Sequence, residues 1–188
     1  MNVLFRAASF VALFATASIA SANFTGDVTG GGVFSDNVST ADGWQFNNPA
    51  ANGVDFWTLT ISEPSFLSVN INSDIDFGIS VYQGAVSDSL GFAFNNAAGF
   101  EDPLTFDFGT FIAGTPNFGV AGSSLVDILL SAAGVYTIAV GGADFGFAGP
   151  YQYDMSVSVA AVPVPAAVWL FASGLVGLIA RSKRGSTV

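Results

Sequence analysis

Few side chains in this sequence could carry out catalysis. The chain has no His and no Cys, so imidazole bases, thiolate nucleophiles, disulfides and zinc sites with nitrogen or sulfur ligands are excluded. A glycosidase would need two paired carboxylates, but Glu63 and Glu101 stand alone in turn-like segments. The Ser residues have no nearby His or Lys that could activate them. The sequence therefore predicts a non-enzymatic protein, with a secreted hydrolase as a distant alternative.

Carboxylates could instead hold calcium, which prefers carboxylate and amide oxygens as ligands. Asp74 and Asp76 lie two residues apart beside a predicted turn, while Glu101 and Asp102 share a loop with two Asn residues. Neither pair has the spacing of an EF-hand loop. A solvated acidic rim is the alternative interpretation. We expect no cofactor, with calcium as the one candidate.

Aromatic side chains could bind a glycan by stacking on the apolar faces of its rings. Trp57 alternates with Leu59 and Ile61, which predicts a position in the core. Trp44, in the segment ADGW, is the more exposed candidate. A glycan- or calcium-binding adhesive module is therefore the alternative to a purely structural role.

Charge is distributed unevenly along the chain. All four basic residues lie in the terminal segments, and none lies between residues 7 and 180. The 14 acidic residues lie between Asp27 and Asp154, so the middle segment has a formal charge of −14, against −10 for the whole chain. Nucleic-acid affinity comes mainly from Lys and Arg, so nucleic-acid partners are excluded.

The N-terminus has the pattern of a secretory signal peptide. Arg6 precedes an apolar stretch over residues 7–19, and Ala20 and Ala22 supply the small residues that signal peptidase accepts. Cleavage after Ala22 would make Asn23 the mature terminus. A retained membrane helix is the alternative, but the apolar stretch is short for one.

The C-terminus has the pattern of a membrane anchor. Residues 166–180 carry no charge and would form a helix of about 22 Å, somewhat shorter than a bilayer core of about 30 Å. Apolar residues from 162 and snorkelling cations on the other side would extend the span. Because Lys and Arg stay in the cytoplasm, the acidic body would face outward. The predicted anchor residues are Ala166, Trp169, Leu170, Phe171, Gly174, Leu175, Leu178 and Ala180.

The order of elements at this end resembles a known sorting signal. Pro163-Val164-Pro165 precedes the apolar segment, and a basic cluster of Arg181, Lys183 and Arg184 follows it. This order resembles the PEP-CTERM tail of Gram-negative bacteria that make exopolysaccharide, with Val164 in place of the family's Glu. A simple permanent tail anchor is the alternative.

The resemblance implies that the protein is a substrate of an exosortase, which cuts near the proline motif. The implied partners are signal peptidase, the exosortase, the inner membrane and exopolysaccharide. The protein would be exported across the inner membrane, anchored there by its C-terminal helix before processing, and then located at the cell surface or outside the cell.

Between the two ends, period-two alternation predicts strands with one buried face. Such short strands, separated by Gly, Asn, Pro or Ser clusters, favour an all-β antiparallel sandwich or jelly roll of two stacked sheets. The predicted strands are Asp55–Ile61, Phe66–Asn72, Ile75–Tyr82, Leu90–Phe94, Leu104–Phe108, Val126–Leu130, Val135–Val140 and Tyr151–Val159.

The segments 55–59 and 130–142 look like the opening and closing strands of pre-peptidase C-terminal-type β-sandwich domains. That resemblance implies a non-catalytic secreted module. The predicted organisation is a signal peptide (1–22), an irregular lead-in (23–53), a β-sandwich domain (54–161), a sorting and anchor segment (162–184) and a tail (185–188).

Overall fold

Two β-sheets contain the strands that the structure describes. The computed structural model describes residues 23–44, 53–85, 96–101, 108–116, 124–144 and 148–163, together with residues 170, 171, 173–176 and 179. A six-stranded sheet has the order β1-β3-β9-β5-β7-β6, and a four-stranded sheet has the order β2-β10-β4-β8. The strands are β1 Asn23–Asp27, β2 Gly32–Thr40, β3 Val54–Ile61, β4 Ser65–Ser73, β5 Phe77–Gln83, β6 Phe100–Glu101, β7 Phe108–Gly114, β8 Ser124–Leu130, β9 Gly134–Gly142 and β10 Ala148–Ala161.

The core lies between the inner faces of the two sheets. In β10, Tyr153, Met155 and Val157 are buried while the residues between them are exposed. In β4, Leu67 and Val69 are buried in the same way. The alternation in the sequence therefore predicts which face of these strands is inward, and the two-sheet all-β architecture is confirmed.

The six-stranded sheet is buried on both faces near its centre. Phe77, Ile79 and Val81 of β5 contribute to the core, yet Ser80 and Tyr82 on the opposite face are also fully buried. The alternation of β5 predicts one wet face, and this part of the prediction is wrong. The outer face of β5 is covered because chain segments from outside the sheet pack on it.

Residues 23–53 were predicted to be an irregular lead-in, but the structure has two strands in this range, β1 and β2. β1 pairs in parallel with β3, through Asn23 opposite Asp55, and it is the exception in a set of otherwise antiparallel pairs. β2 pairs with β10 along most of its length. Because β2 is an edge strand with few apolar residues, among them Phe34 and Val38, the apolar pattern that identifies a strand is weak here.

The predicted terminal segments are only partly described. Residues 1–22, with Ala20 and Ala22, and the basic cluster at residues 181–184 lie outside the described residues. The described residues from 170 to 179 are helical and exposed. None of the helical segments within the described ranges has the length and apolarity needed to cross a bilayer.

Candidate functional site

Trp44 was expected to be exposed, and this expectation is wrong. Its side chain is fully buried, and its indole Nε1–H donates to Ser80 Oγ at 3.1 Å. Asn96 completes the contact, since its Nδ2 donates to the Trp44 carbonyl at 2.8 Å. The ring occupies the space over Gly78, where a Cβ atom would overlap it. Trp44 therefore covers the outer face of the six-stranded sheet and presents no surface on which a sugar could stack.

The outer face of the four-stranded sheet carries an elongated depression, here called the polar trough. It consists of two successive hollows along β10, of about 470 Å³ and about 280 Å³. The larger hollow is mainly polar, whereas the smaller one is mainly apolar because Val69, Leu125, Val126 and Val157 also line it. The larger hollow lies near Gln152 and Asp154, and the smaller one near Ser156 and Ser158. The carboxylates of the larger hollow are those of Asp36, Asp74 and Asp154, and its amides are those of Asn37, Asn72 and Gln152.

Hydrogen bonds between neighbouring strands hold the walls of the polar trough. The Ser35 hydroxyl on β2 donates to Asp154 Oδ1 on β10 at 2.5 Å. On the β4 side of β10, the Ser73 hydroxyl donates to the backbone carbonyl of Gln152 at 2.7 Å. β10 is central and pairs with both β2 and β4. The trough therefore lies on strands that are hydrogen-bonded to one another.

A buried carboxyl group lies behind the larger hollow. Asp55 on β3 is 2% exposed, and the Tyr153 hydroxyl of β10 donates to its Oδ2 at 2.8 Å. The same hydroxyl accepts from Trp57 Nε1–H at 3.0 Å. Because β3 and β10 belong to different sheets, these two hydrogen bonds join the sheets through the core.

Burial decides the protonation of this network. The pKa of Asp55 is raised to about 7, chiefly because burial removes solvation from the charged form; the hydrogen bond from Tyr153 opposes this shift, and nearby Asp36 adds to it. Burial, followed by the proximity of Asp55, also raises the pKa of Tyr153. The phenol therefore stays protonated and remains a donor, whereas Asp55 changes its charge near neutral pH.

The predicted calcium residues are not brought together. Asp74 lines the larger hollow, and Asp76 is an exposed residue just before β5. The side chains of Glu101 and Asp102 lie outside the described residues. Within the described ranges, no three acidic side chains are grouped so that they could hold a metal ion. Calcium binding stays a prediction.

The first residue of the proline motif lies at the exit from the folded domain. β10 pairs with β4 as far as Ala161 opposite Ser65. The Val162 N–H then donates to the Pro64 carbonyl at 3.0 Å. Pro163 follows and is exposed, while Val164, Pro165, Ala166 and Trp169 lie outside the described residues. The motif thus begins one residue after this hydrogen bond.

Comparison with solved structures supports the fold. CorA, a surface-associated copper-binding protein of Methylomicrobium album BG8, matches with a TM-score of 0.51 at 11% identity, over 74% of this chain and 100% of CorA. The pre-peptidase C-terminal domain of a Bacillus anthracis collagenase matches with a TM-score of 0.40 at 11% identity, over 72% of this chain and 96% of that domain. The third is PliG of Aeromonas hydrophila, a periplasmic inhibitor of g-type lysozyme, with a TM-score of 0.39 at 14% identity, over 73% of this chain and 99% of PliG.

The chain is thus an all-β sandwich protein, and the similarity to CorA shows the fold alone at this level of identity. No protein-family model matches the sequence. The search of curated proteins likewise gives no match.

The sequence analysis gave no role to Asp55 or to the polar trough. The signal for Asp55 was present, because it lies two residues before Trp57 and alternates in phase with Leu59. A carboxylate at that position has to face the core. The trough depends on how β2, β10 and β4 pair, which alternation within one strand does not reveal.

Proposed function

We propose that the chain is an exported, non-enzymatic surface or matrix protein that an exosortase sorts and that associates with exopolysaccharide. The observation that carries the proposal is the position of Pro163, the first residue of the proline motif, which is exposed immediately after the last strand of the sandwich. A membrane enzyme needs an accessible substrate segment, and this junction would provide one.

The junction also allows processing without loss of the fold. The pairing of β10 with β2 and β4 is complete before Val162. A cut after Pro163 would leave these pairs and the buried core residues of β10 in place. The domain could therefore be released or transferred as a folded unit.

The distribution of charge supports the proposed direction of transport. Basic residues are confined to positions 6, 181, 183 and 184, beside the two apolar terminal segments. Lys and Arg in such flanks remain on the cytoplasmic side. An acidic body without cations would then face outward.

The types of side chain support a role without catalysis. The whole sequence lacks His and Cys, and its Lys lies in the C-terminal cluster. Asp55, a carboxyl group with a pKa close to neutrality, is 2% exposed and is engaged by Tyr153 in the core. A general acid must reach its substrate, so the position of Asp55 favours a structural role.

Proline substitutions in a native Gram-negative host test this proposal. Pro163→Ala combined with Pro165→Ala should leave the C-terminal segment attached, so the protein should accumulate in the inner membrane at its unprocessed length. Pro64→Ala is the matched control, because Pro64 is exposed and its carbonyl contact would remain; this variant should be processed like the wild type. Normal processing of the double variant, seen by immunoblotting of cell fractions, would refute recognition of the motif.

A further inference from the structure

The solvent-facing side of the four-stranded sheet has an unusual composition for β-structure. Most of its exposed positions on β2, β4 and β10 are occupied by short amide, hydroxyl and carboxyl side chains, and Val33 of β2 and Ala160 of β10 are also exposed. Asn and Asp are depleted in strands, where β-branched and aromatic residues are preferred. The residues in question on the four-stranded sheet include Asn37, Asn70, Asn72, Gln152, Asp154 and Ser156.

Asn70 and Asn72 do not contribute to the core. Asn70 and Asn72 are exposed, and the buried residues of β4, among them Leu67 and Val69, lie on its other face. A Thr at either Asn position would suit a strand better. Residues that oppose local structural preference without a structural gain are typical of functional surfaces.

We infer that the polar trough is a binding site for a neutral polysaccharide. The inference deepens the proposed function, because it names the site and the ligand class through which the protein would associate with a matrix. The sugar would lie along β10 and exchange hydrogen bonds between its hydroxyl groups and the amides, hydroxyls and carboxylates of the trough.

The shape of the trough favours a polymer over a single sugar. The two hollows follow one strand from Gln152 to Ser158, which corresponds to about 20 Å at about 3.3 Å per residue. β10 is the second strand of the sheet, with β2 on one side and β4 on the other. The ligand would therefore be an extended chain lying between side chains of three strands.

The side chains of the trough are regularly arranged. Asp154 of β10 lies opposite Ser35 of β2 and Asn72 of β4, and Ser156 lies opposite Asn70. Directly opposed residues have Cβ atoms about 5 Å apart, so hydrogen-bonding groups recur along β10 and β4 and lie across all three strands at Asp154. Opposite Ser156, β2 presents the exposed Val33. A polymer with hydroxyl groups at every repeat unit matches such an arrangement.

The negative charge of the trough favours neutral polysaccharides over anionic ones. The larger hollow contains the carboxylates of Asp74 and Asp154 on its exposed side, and the chain has no cation between residues 7 and 180. A polyanion such as a uronic acid polymer would be repelled, and its carboxylates would find no cationic partner. Ionised carboxylates accept strong hydrogen bonds from sugar hydroxyls. A neutral polymer is therefore the ligand that fits.

The test is affinity electrophoresis of the purified full-length chain in a non-ionic detergent. The gels contain dextran, galactomannan, soluble xylan or polygalacturonate, and pull-down on insoluble cellulose completes the panel. At least one neutral polymer should retain the wild-type protein, and polygalacturonate should not. No retention by any neutral polymer, or retention by polygalacturonate alone, would overturn the inference.

Two substitutions separate binding from folding. Asn70→Thr combined with Asn72→Thr should raise or preserve the melting temperature, because Thr is favoured in strands, yet it should weaken retention about tenfold or more. Thr60→Ala is the control on the other sheet and should bind like the wild type. Equal retention by the Asn double variant and the wild type would contradict the site. Because this assay uses purified protein, its failure leaves the test of exosortase processing unaffected.

Discussion

Asp55→Asn should remove a large pH dependence of stability. The side chain is 2% exposed and accepts a hydrogen bond from Tyr153. Its pKa rises from 3.8 to about 7 in the folded protein, chiefly because burial disfavours the charged form. Asn has the same shape and can still accept from Tyr153, but it cannot ionise. The substitution therefore isolates the effect of the buried charge.

The sign and size of the effect follow from linkage. Because the folded state raises the pKa, the contribution of Asp55 to stability is fully present below pH 3.8 and is lost as the pH rises through 7. A shift of about 3 units, at about 1.36 kcal/mol each, corresponds to about 4 kcal/mol. The wild type should therefore lose about 4 kcal/mol more than Asp55→Asn between pH 4 and pH 8.

Urea unfolding followed by tryptophan fluorescence at a series of pH values measures this difference. Self-repulsion of the acidic body also lowers stability at high pH, but it acts on both proteins and cancels in the comparison. Glu63→Gln is the control, since Glu63 is exposed between β3 and β4, and its profile should follow the wild type. Parallel profiles for Asp55→Asn and the wild type would refute the reasoning.

Two further substitutions probe the contacts that hold the sheets and their cover. Tyr153→Phe should lower the free energy of unfolding at pH 5 by about 1 to 3 kcal/mol, because Asp55 and Trp57 both lose the hydroxyl as a hydrogen-bond partner. Urea titration measures this change, and an unchanged free energy would show that the network does not stabilise the fold. Trp44→Ala should cost about 3 to 5 kcal/mol, seen as a lower melting temperature in calorimetry, because it empties a buried site. A melting temperature equal to that of the wild type would contradict the covering role of Trp44.

Alternation in the sequence was sufficient to predict the central strands. β4 and β10 carry apolar residues at every second position because the sandwich buries one of their faces. β3 and β9 show the same alternation, although both of their faces are largely buried. β2 was not predicted because this edge strand, which contains Ser, Asp and Asn, has too few apolar residues to show a clear alternation. Its partner β10 lies more than 100 positions away, so only long-range pairing defines it.

The site could not be predicted to the same degree. Trp44 looked exposed because it follows Asp-Gly, yet it covers β5 and β9 at Gly78 and Gly141. Glycines inside strands were the available signal, since they often mark a close approach of another segment. The polar trough forms where three strands from distant parts of the chain pair with one another. Periodicity within one strand does not specify this pairing, so the trough could not be predicted from it.

Intact-mass analysis of the protein recovered from the surface fraction of its native host tests the central proposal most directly. The account predicts a species that begins at Asn23 and lacks the apolar segment and the basic cluster, with its C-terminus within or near residues 163–165. A species recovered from the cytosol that still spans Met1 to Val188 would contradict it.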